Sequence, residues 1–311
     1  MAAKSIRLSA ALYLRSRPCE SKTRPARRYP IPASCYTTAR PLSSPLPRVM
    51  TVPSLRCLFL VSCLLFTARM SEAQTGTTPE ALLAEGDAAY ARFDNPAALD
   101  AYRQAHQLAP QSFDVLMRLA RTTNDYAQDL LVAGEKDAAE ARFDEAVAYA
   151  EVLHERYPDR AATYFFLAAT YGNLALFKGG KGKVRIGRTV EEYSRKALAL
   201  DTTYALPYVV LGIFYREVSN LSWFQRTFAN ALFGGVPDGT KEDAVRMLTH
   251  AIALDTTLSV AHYELAMTYA AMGRKDDALP HLRQAAILPP FNTQDRRNQA
   301  WAAELLKQWE Q

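Results

Sequence analysis

Cysteine is absent from residue 74 to the end of this 311-residue chain; all four, Cys19, Cys35, Cys57 and Cys63, lie before it. The body can therefore form no internal disulfide, no thiolate metal site and no cysteine nucleophile. A membrane-length apolar run is also missing. The apolar run at 57–68 holds 12 residues, against the roughly 20 that span a bilayer. Nor is the body basic. The net charge is +5, but residues 1–73 carry 12 Lys and Arg against two acids, which leaves 25 basic and 30 acidic residues for the rest. Nucleic-acid binders normally present a basic domain, so that partner class is set aside.

Catalytic signatures are scarce as well. The five histidines, His106, His154, His250, His262 and His281, include no HExxH pair. The segment Gly179-Gly180-Lys181-Gly182-Lys183 has no glycine five before Gly182 and no Ser or Thr after Lys183, so it is not a phosphate loop. No Ser/His/Asp set is indicated. The chain is expected to be non-enzymatic, with no catalytic residue, metal or cofactor.

What is present begins with a leader. Residues 50–73 read MTVPSLRCLFLVSCLLFTARMSEA: a cation at Arg56, the apolar run, then small residues at Ser71 and Ala73 before Gln74. That is the pattern of a secretory signal peptide with Met50 as its start, and it predicts an exported, periplasmic protein. Two alternatives stand beside it. Residues 1–49, rich in Arg, Ser and Pro, read as a start codon placed too early or as a mitochondrial transit peptide. Leu60-Val61-Ser62-Cys63 resembles a lipobox, which would anchor the chain through Cys63. The folded domain is taken as 74–311.

Within it ALDTT occurs twice, at 199–203 and 253–257, and internal repeats are the first thing to seek in a sequence. From Ser259, a 34-residue frame puts His262, Leu265, Ala266 and Tyr269 at positions 4, 7, 8 and 11, and Ala278, Leu282, Ala285 and Pro290 at 20, 24, 27 and 32. This resembles the tetratricopeptide repeat. Small residues at 8, 20 and 27 let two antiparallel helices approach closely, and large ones at 4, 7, 11 and 24 fill the space beside them. The frame recurs from Pro79, Ala161 and Ala205, and 112–157 reads as a longer helix pair that fits it poorly. A helix over about 293–309, capped by Asn292 or Thr293, carries Trp301, Leu305 and Trp309 on one stripe and reads as a terminal cap. The fold expected is all-α: a tetratricopeptide-type right-handed superhelix of about five antiparallel helix pairs plus a C-terminal capping helix.

The frame predicts 34 residues between the ALDTT copies, and the chain has 54. The excess lies at 218–240 and reads as an inserted helix carrying Leu221, Trp223, Phe224, Phe228 and Phe233. A smaller excess falls on the Gly-rich stretch 177–187, read as a loop. Pro280 falls inside a predicted helix, and Asp276 is taken as the cap that keeps it near the first turn.

The insertion carries a more specific likeness. Leu221-Ser222-Trp223, Arg226, Ala229, Leu232-Phe233-Gly234, Pro237, Thr240 and Ala244, preceded by Leu211-Gly212, Tyr215 and Val218, resemble the regulator of microtubule dynamics family. The likeness covers 161–290 well and 79–157 loosely. It departs at Gln225 and Thr227, where the family usually has Glu and Lys, and at the secretory-looking N-terminus. It implies a tetratricopeptide-type array. It also implies links to microtubules and to mitochondrial and endoplasmic-reticulum membranes, which an exported protein would not meet; only the fold is carried over.

In such arrays positions 2, 5, 9, 12 and 13 of each first helix line an inner groove. Here they include Phe165, Leu206, Val209, Ile213, Tyr263 and Met267, mostly apolar, with Asn173, Arg216 and Glu217 as exceptions. An uncovered apolar groove is unusual in water, so a cover is expected: the inserted helix, an apolar segment of a partner protein, or a lipid. Lys178, Lys181, Lys183, Arg185 and Arg188 would hold an anionic group of such a lipid. The reading that follows is a scaffold that grips an apolar partner segment, with a lipid or amphiphile carrier as the alternative.

Overall fold

The computed structural model describes residues 78–223, 226–227 and 238–310. Helices account for nearly all of them, and no strand occurs among the described residues. Eleven helices can be bounded there: α1 Pro79–Ala91, α2 Asn95–Leu108, α3 Phe113–Ala133, α4 Lys136–Arg156, α5 Ala161–Lys178, α6 Gly180–Leu200, α7 Ala205–Ser219, α8 Lys241–Leu254, α9 Ser259–Ala271, α10 Lys275–Ile287 and α11 Thr293–Trp309. They pack as five antiparallel pairs followed by α11. No described helix is long and apolar enough to cross a membrane.

The repeat frame explains the packing residue by residue. Ala98, Ala244 and Ala278, at position 20, and Ala105, Ala197, Ala251 and Ala285, at position 27, are fully buried. A Cβ built on Gly86 would lie 2.3 Å from the Tyr102 ring, and one on Gly212 would lie 2.5 Å from Leu248 Cγ. Position 8 must therefore be minimal where position 24 is large, because the large side chain occupies the space a methyl group would need.

Local chemistry sets the helix ends. Thr78 Oγ1 accepts from Ala81 N, Asp94 Oδ1 from Ala97 N, and Asn292 Oδ1 from Asp295 N. Thr240 and Asp243 form a reciprocal capping box. Each ALDTT copy is the same turn: Asp201 Oδ1 accepts from the backbone and hydroxyl of Thr203, and Asp255 Oδ1 does so from Thr257. These are Asx turns, in which a short carboxylate satisfies the backbone donors of a chain leaving a helix.

Two local expectations need correction. The stretch 177–187 is not a loop: α5 runs to Lys178 and α6 starts at Gly180, with Gly179 alone at the bend, at φ 57°. One glycine in the left-handed region reverses the chain, and the others stay helical. In α10 the flanking residue is Arg274 rather than Asp276, so Pro280 lies in the second turn. Pro280 is exposed, and the Asp276 carbonyl that loses its partner can turn to water.

Candidate functional site

The first helices of successive pairs touch in order, α3 to α5, α5 to α7, α7 to α9, and then α9 to α11. They form the inner wall of the array. The six apolar positions read from the repeat frame fall on this wall in separate groups. Phe165 is half-buried, its ring 5.1 Å from Phe166 and 5.3 Å from Tyr204. Val209, only 4% exposed, and half-buried Ile213 belong to a cluster with Leu248, Ala251, Ala261 and Leu265. Tyr263 and Met267 belong to another that includes Ala302, Leu305 and Leu306 of α11. Leu206 is half-buried. Much of this apolar surface is thus spent inside and between helix pairs.

Polar residues run along the same wall. Asn173 donates to Asn124 at 3.1 Å. Lys183 pairs with Glu217, and Arg216 pairs with the Glu264 carboxylate while donating to its carbonyl at 3.2 Å. Burial pushes the Glu217 carboxyl up, but Lys183 and Arg216 outweigh it and hold the group below the usual range. The cover at the α9 end is α11, a choice absent from the three covers weighed from the sequence.

Helix α11 also reaches back to the start of the array, packing on α3. The Phe291 ring, just before α11, meets Tyr90 of α1 edge-on at 5.7 Å. The Arg121 guanidinium of α3 lies 4.0 Å over Tyr90 and 5.6 Å from Phe291. Tyr90 donates to Asp125 at 2.7 Å. Asn95 Nδ2 donates to Asp129 at 2.6 Å and lies 3.3 Å from Thr293 Oγ1. Arg297 pairs with Asp129, and Arg296 lies 4.6 Å over the Phe93 ring. Burial raises the Asp125 carboxyl to about 6, partly offset by the Tyr90 hydroxyl and Arg121. Burial also raises Asp295. Asn298 is 1% exposed, and its Nδ2 is buried without a hydrogen-bond partner among the described residues. A cleft of about 420 Å³ opens beside this seam, lined by Asp87, Tyr90, Arg118, Arg121, Pro290 and Phe291. There Arg118 forks onto Asp87, Nε to one carboxylate oxygen and Nη2 to the other, each at 2.8 Å.

The seam residues were not singled out from the sequence, although a signal existed. Arg121-Thr122-Thr123-Asn124-Asp125 is an unbroken run of five polar residues in the middle of α3. Four of its five residues, Thr122 to Asp125, are buried.

The cation cluster is largely engaged. Lys178 donates to Glu140 at 2.8 Å and Lys183 is held by Glu217. Arg185 and Arg188 are exposed on α6, and the Lys181 side chain lies outside the described residues. In the insertion, Leu221 is half-buried and Trp223 is 78% exposed. Phe224, Phe228 and Phe233 lie outside the described residues. His262 is buried, its Nδ1 3.1 Å from that of His281, and burial lowers both groups. No cluster of three or more potential metal ligands occurs among the described residues.

Comparisons with known proteins agree with this architecture. The family model described as Regulator of microtubule dynamics protein 1-3 matches residues 82–310. Regulator of microtubule dynamics protein 1 of Bos taurus is 28% identical over 195 residues, 62% of this chain and 61% of that one. Regulator of microtubule dynamics protein 3 of Xenopus laevis is 28% identical over 62% of this chain and 41% of its own. This chain thus matches about three-fifths or less of the length of these relatives. Among solved structures, a thermophilic TPR protein of Thermus thermophilus aligns with a TM-score of 0.52 at 24% identity, covering 73% of this chain and 100% of that one. It is a likeness of fold. The relatives are animal proteins, and animal cells have no periplasm, so the periplasmic location expected from residues 50–73 is overturned. An apolar run followed by small residues does not by itself name a compartment. The leader itself, with the signal peptide at 50–73 and the Cys63 anchor, lies outside the described residues.

Proposed function

Because the chain belongs to the regulator of microtubule dynamics family, we propose that it is a non-catalytic protein-interaction scaffold that docks a partner polypeptide on its inner wall. The observation that carries this reading is the unbroken succession of first helices α3, α5, α7 and α9. Phe165, Leu206, Ile213 and Met267 stay half-buried on helices that also carry the polar pairs Asn124–Asn173 and Arg216–Glu264. Half-buried apolar side chains beside pre-paired charges suit a segment with a few apolar anchors in a polar frame. The relatives' names make polymerised tubulin the first partner to test.

The test is co-sedimentation of the full chain with polymerised tubulin, wild type against Leu206→Ser/Ile213→Ser. Both sites are half-buried, so the variant keeps the hairpins while losing apolar anchors. The reading expects saturable binding that weakens about tenfold or more in the variant, the scale of losing central apolar anchors. Binding that is absent, or equal in both proteins, overturns it. The lipid-carrier alternative has less support, because Lys178 and Lys183 already hold carboxylates. Flotation of the chain with anionic vesicles, abolished by Arg185→Glu/Arg188→Glu, would favour it instead.

A further inference from the structure

Helix α11 is two things along one length. Its C-terminal half is anchored to the last pair: Ala302, Leu305, Leu306 and Trp309 share a cluster with Ala266, Leu282 and Ala285. Lys275 Nζ donates to the Trp309 carbonyl at 2.7 Å, and Arg283 pairs with Glu310 at 2.8 Å. Its N-terminal half, with Phe291 before it, meets α1, α2 and α3: Phe291 packs on Tyr90 and Arg121, Thr293 lies by Asn95, and Arg297 pairs with Asp129, with Asp125 and Asp295 facing each other alongside. The first helices therefore close on themselves, α3 through α5, α7, α9 and α11 back to α3.

The chemistry of the two halves differs in what separation costs. Exposing the anchor returns apolar side chains to water, which is unfavourable however the surfaces part. Exposing the seam gives water to carboxylates whose charge is penalised by burial, and to Asn298 Nδ2 and Arg297 Nε, both buried without a hydrogen-bond partner among the described residues. Solvation thus offsets the lost Arg297–Asp129 and Asn95–Thr293 bonds. The rest of the array is able to give, because stacked pairs touch mainly their neighbours and flex as a spring.

We infer that the seam between α11 and α3 is a latch: the array has a closed form and an open form, and opening parts Arg297 from Asp129 while α11 stays on α9 and α10. The inner wall is then reachable by a partner polypeptide from the parted side. That consequence rests on the interaction reading above; the latch does not, and it is measured without any partner.

The experiment is amide hydrogen exchange by mass spectrometry on the full chain, comparing wild type, Asp129→Asn, Arg297→Asp, Asp129→Arg and the charge-swapped double variant. Peptides from 113–133 and 293–299 report the seam, and those from 259–287 report the anchor. The latch predicts seam exchange faster by about tenfold in the charge-reversed single variants and by about threefold in Asp129→Asn, with anchor peptides within about twofold of wild type. The swapped pair returns seam exchange towards wild type. Seam exchange unchanged in all the single variants overturns the latch. So does acceleration that spreads equally to 259–287, since α11 would then be an ordinary member of one cooperative core.

Discussion

The hairpin interiors and the seam of this molecule are both buried, yet they are built from opposite materials. Inside a pair, alanine or glycine faces a large apolar side chain, and each contact is non-directional and tolerant of solvent conditions. At the seam, three carboxylates, two guanidiniums, a phenol and two amides meet, and each contact depends on charge and direction. Buried area alone is therefore a poor guide to which joints in the array are permanent. The repeat interiors define hairpins that persist, and the seam defines where hairpins at the two ends of the chain meet.

The largest effect that would sharpen this contrast is on the apolar side. Leu282 is fully buried between α9, α10 and α11. Leu282→Ala should destabilise the domain by about 2–5 kcal/mol, read as a lower melting temperature by circular dichroism, because it removes methylenes and leaves a cavity. A smaller loss, of about 1–3 kcal/mol, is expected for Gly212→Val, whose Cβ has no room beside Leu248. Melts that match wild type in either variant would mean the pairs are looser than their packing indicates.

The most diagnostic effect concerns pH at the seam. Asp125 has its carboxyl raised to about 6 in the folded state. A raised folded-state value favours the fold while the group is protonated, so this contribution is present below about pH 4 and is lost as pH rises through about 6. The groups facing it are Tyr90 of α1, Arg121 and Asp129 of its own helix, and Asp295 of α11. Asp125→Asn removes this titration. Wild type should lose stability relative to the variant by on the order of 2–3 kcal/mol between pH 4 and pH 7, measured by urea unfolding at each pH. A constant difference across that range would place Asp125 in contact with water and break the contrast between seam and core.

How far the sequence could be read follows the same division. Positions 8, 20, 24 and 27 are legible because each is set by the partner helix of its own pair, a few tens of residues away. The turns at Asp201 and Asp255 are legible because the carboxylate acts on the next two residues. The Gly-rich stretch after Lys178 misled, since composition does not say which single glycine bends. The residues read as groove-lining lie on α5, α7 and α9, but the frame cannot tell that Tyr263 and Met267 lie in one cluster with α11. Nor can it pair Asn95 with Thr293, which are separated by 198 positions.

By itself, the chain's alternation of small and large residues at a 34-residue period determined that it folds into stacked helix pairs, because close helix approach needs only local spacing. Whether the two ends of that stack meet was decided by the tertiary structure. Closure depends on the summed twist of five pairs, and no periodicity in the sequence records such a sum.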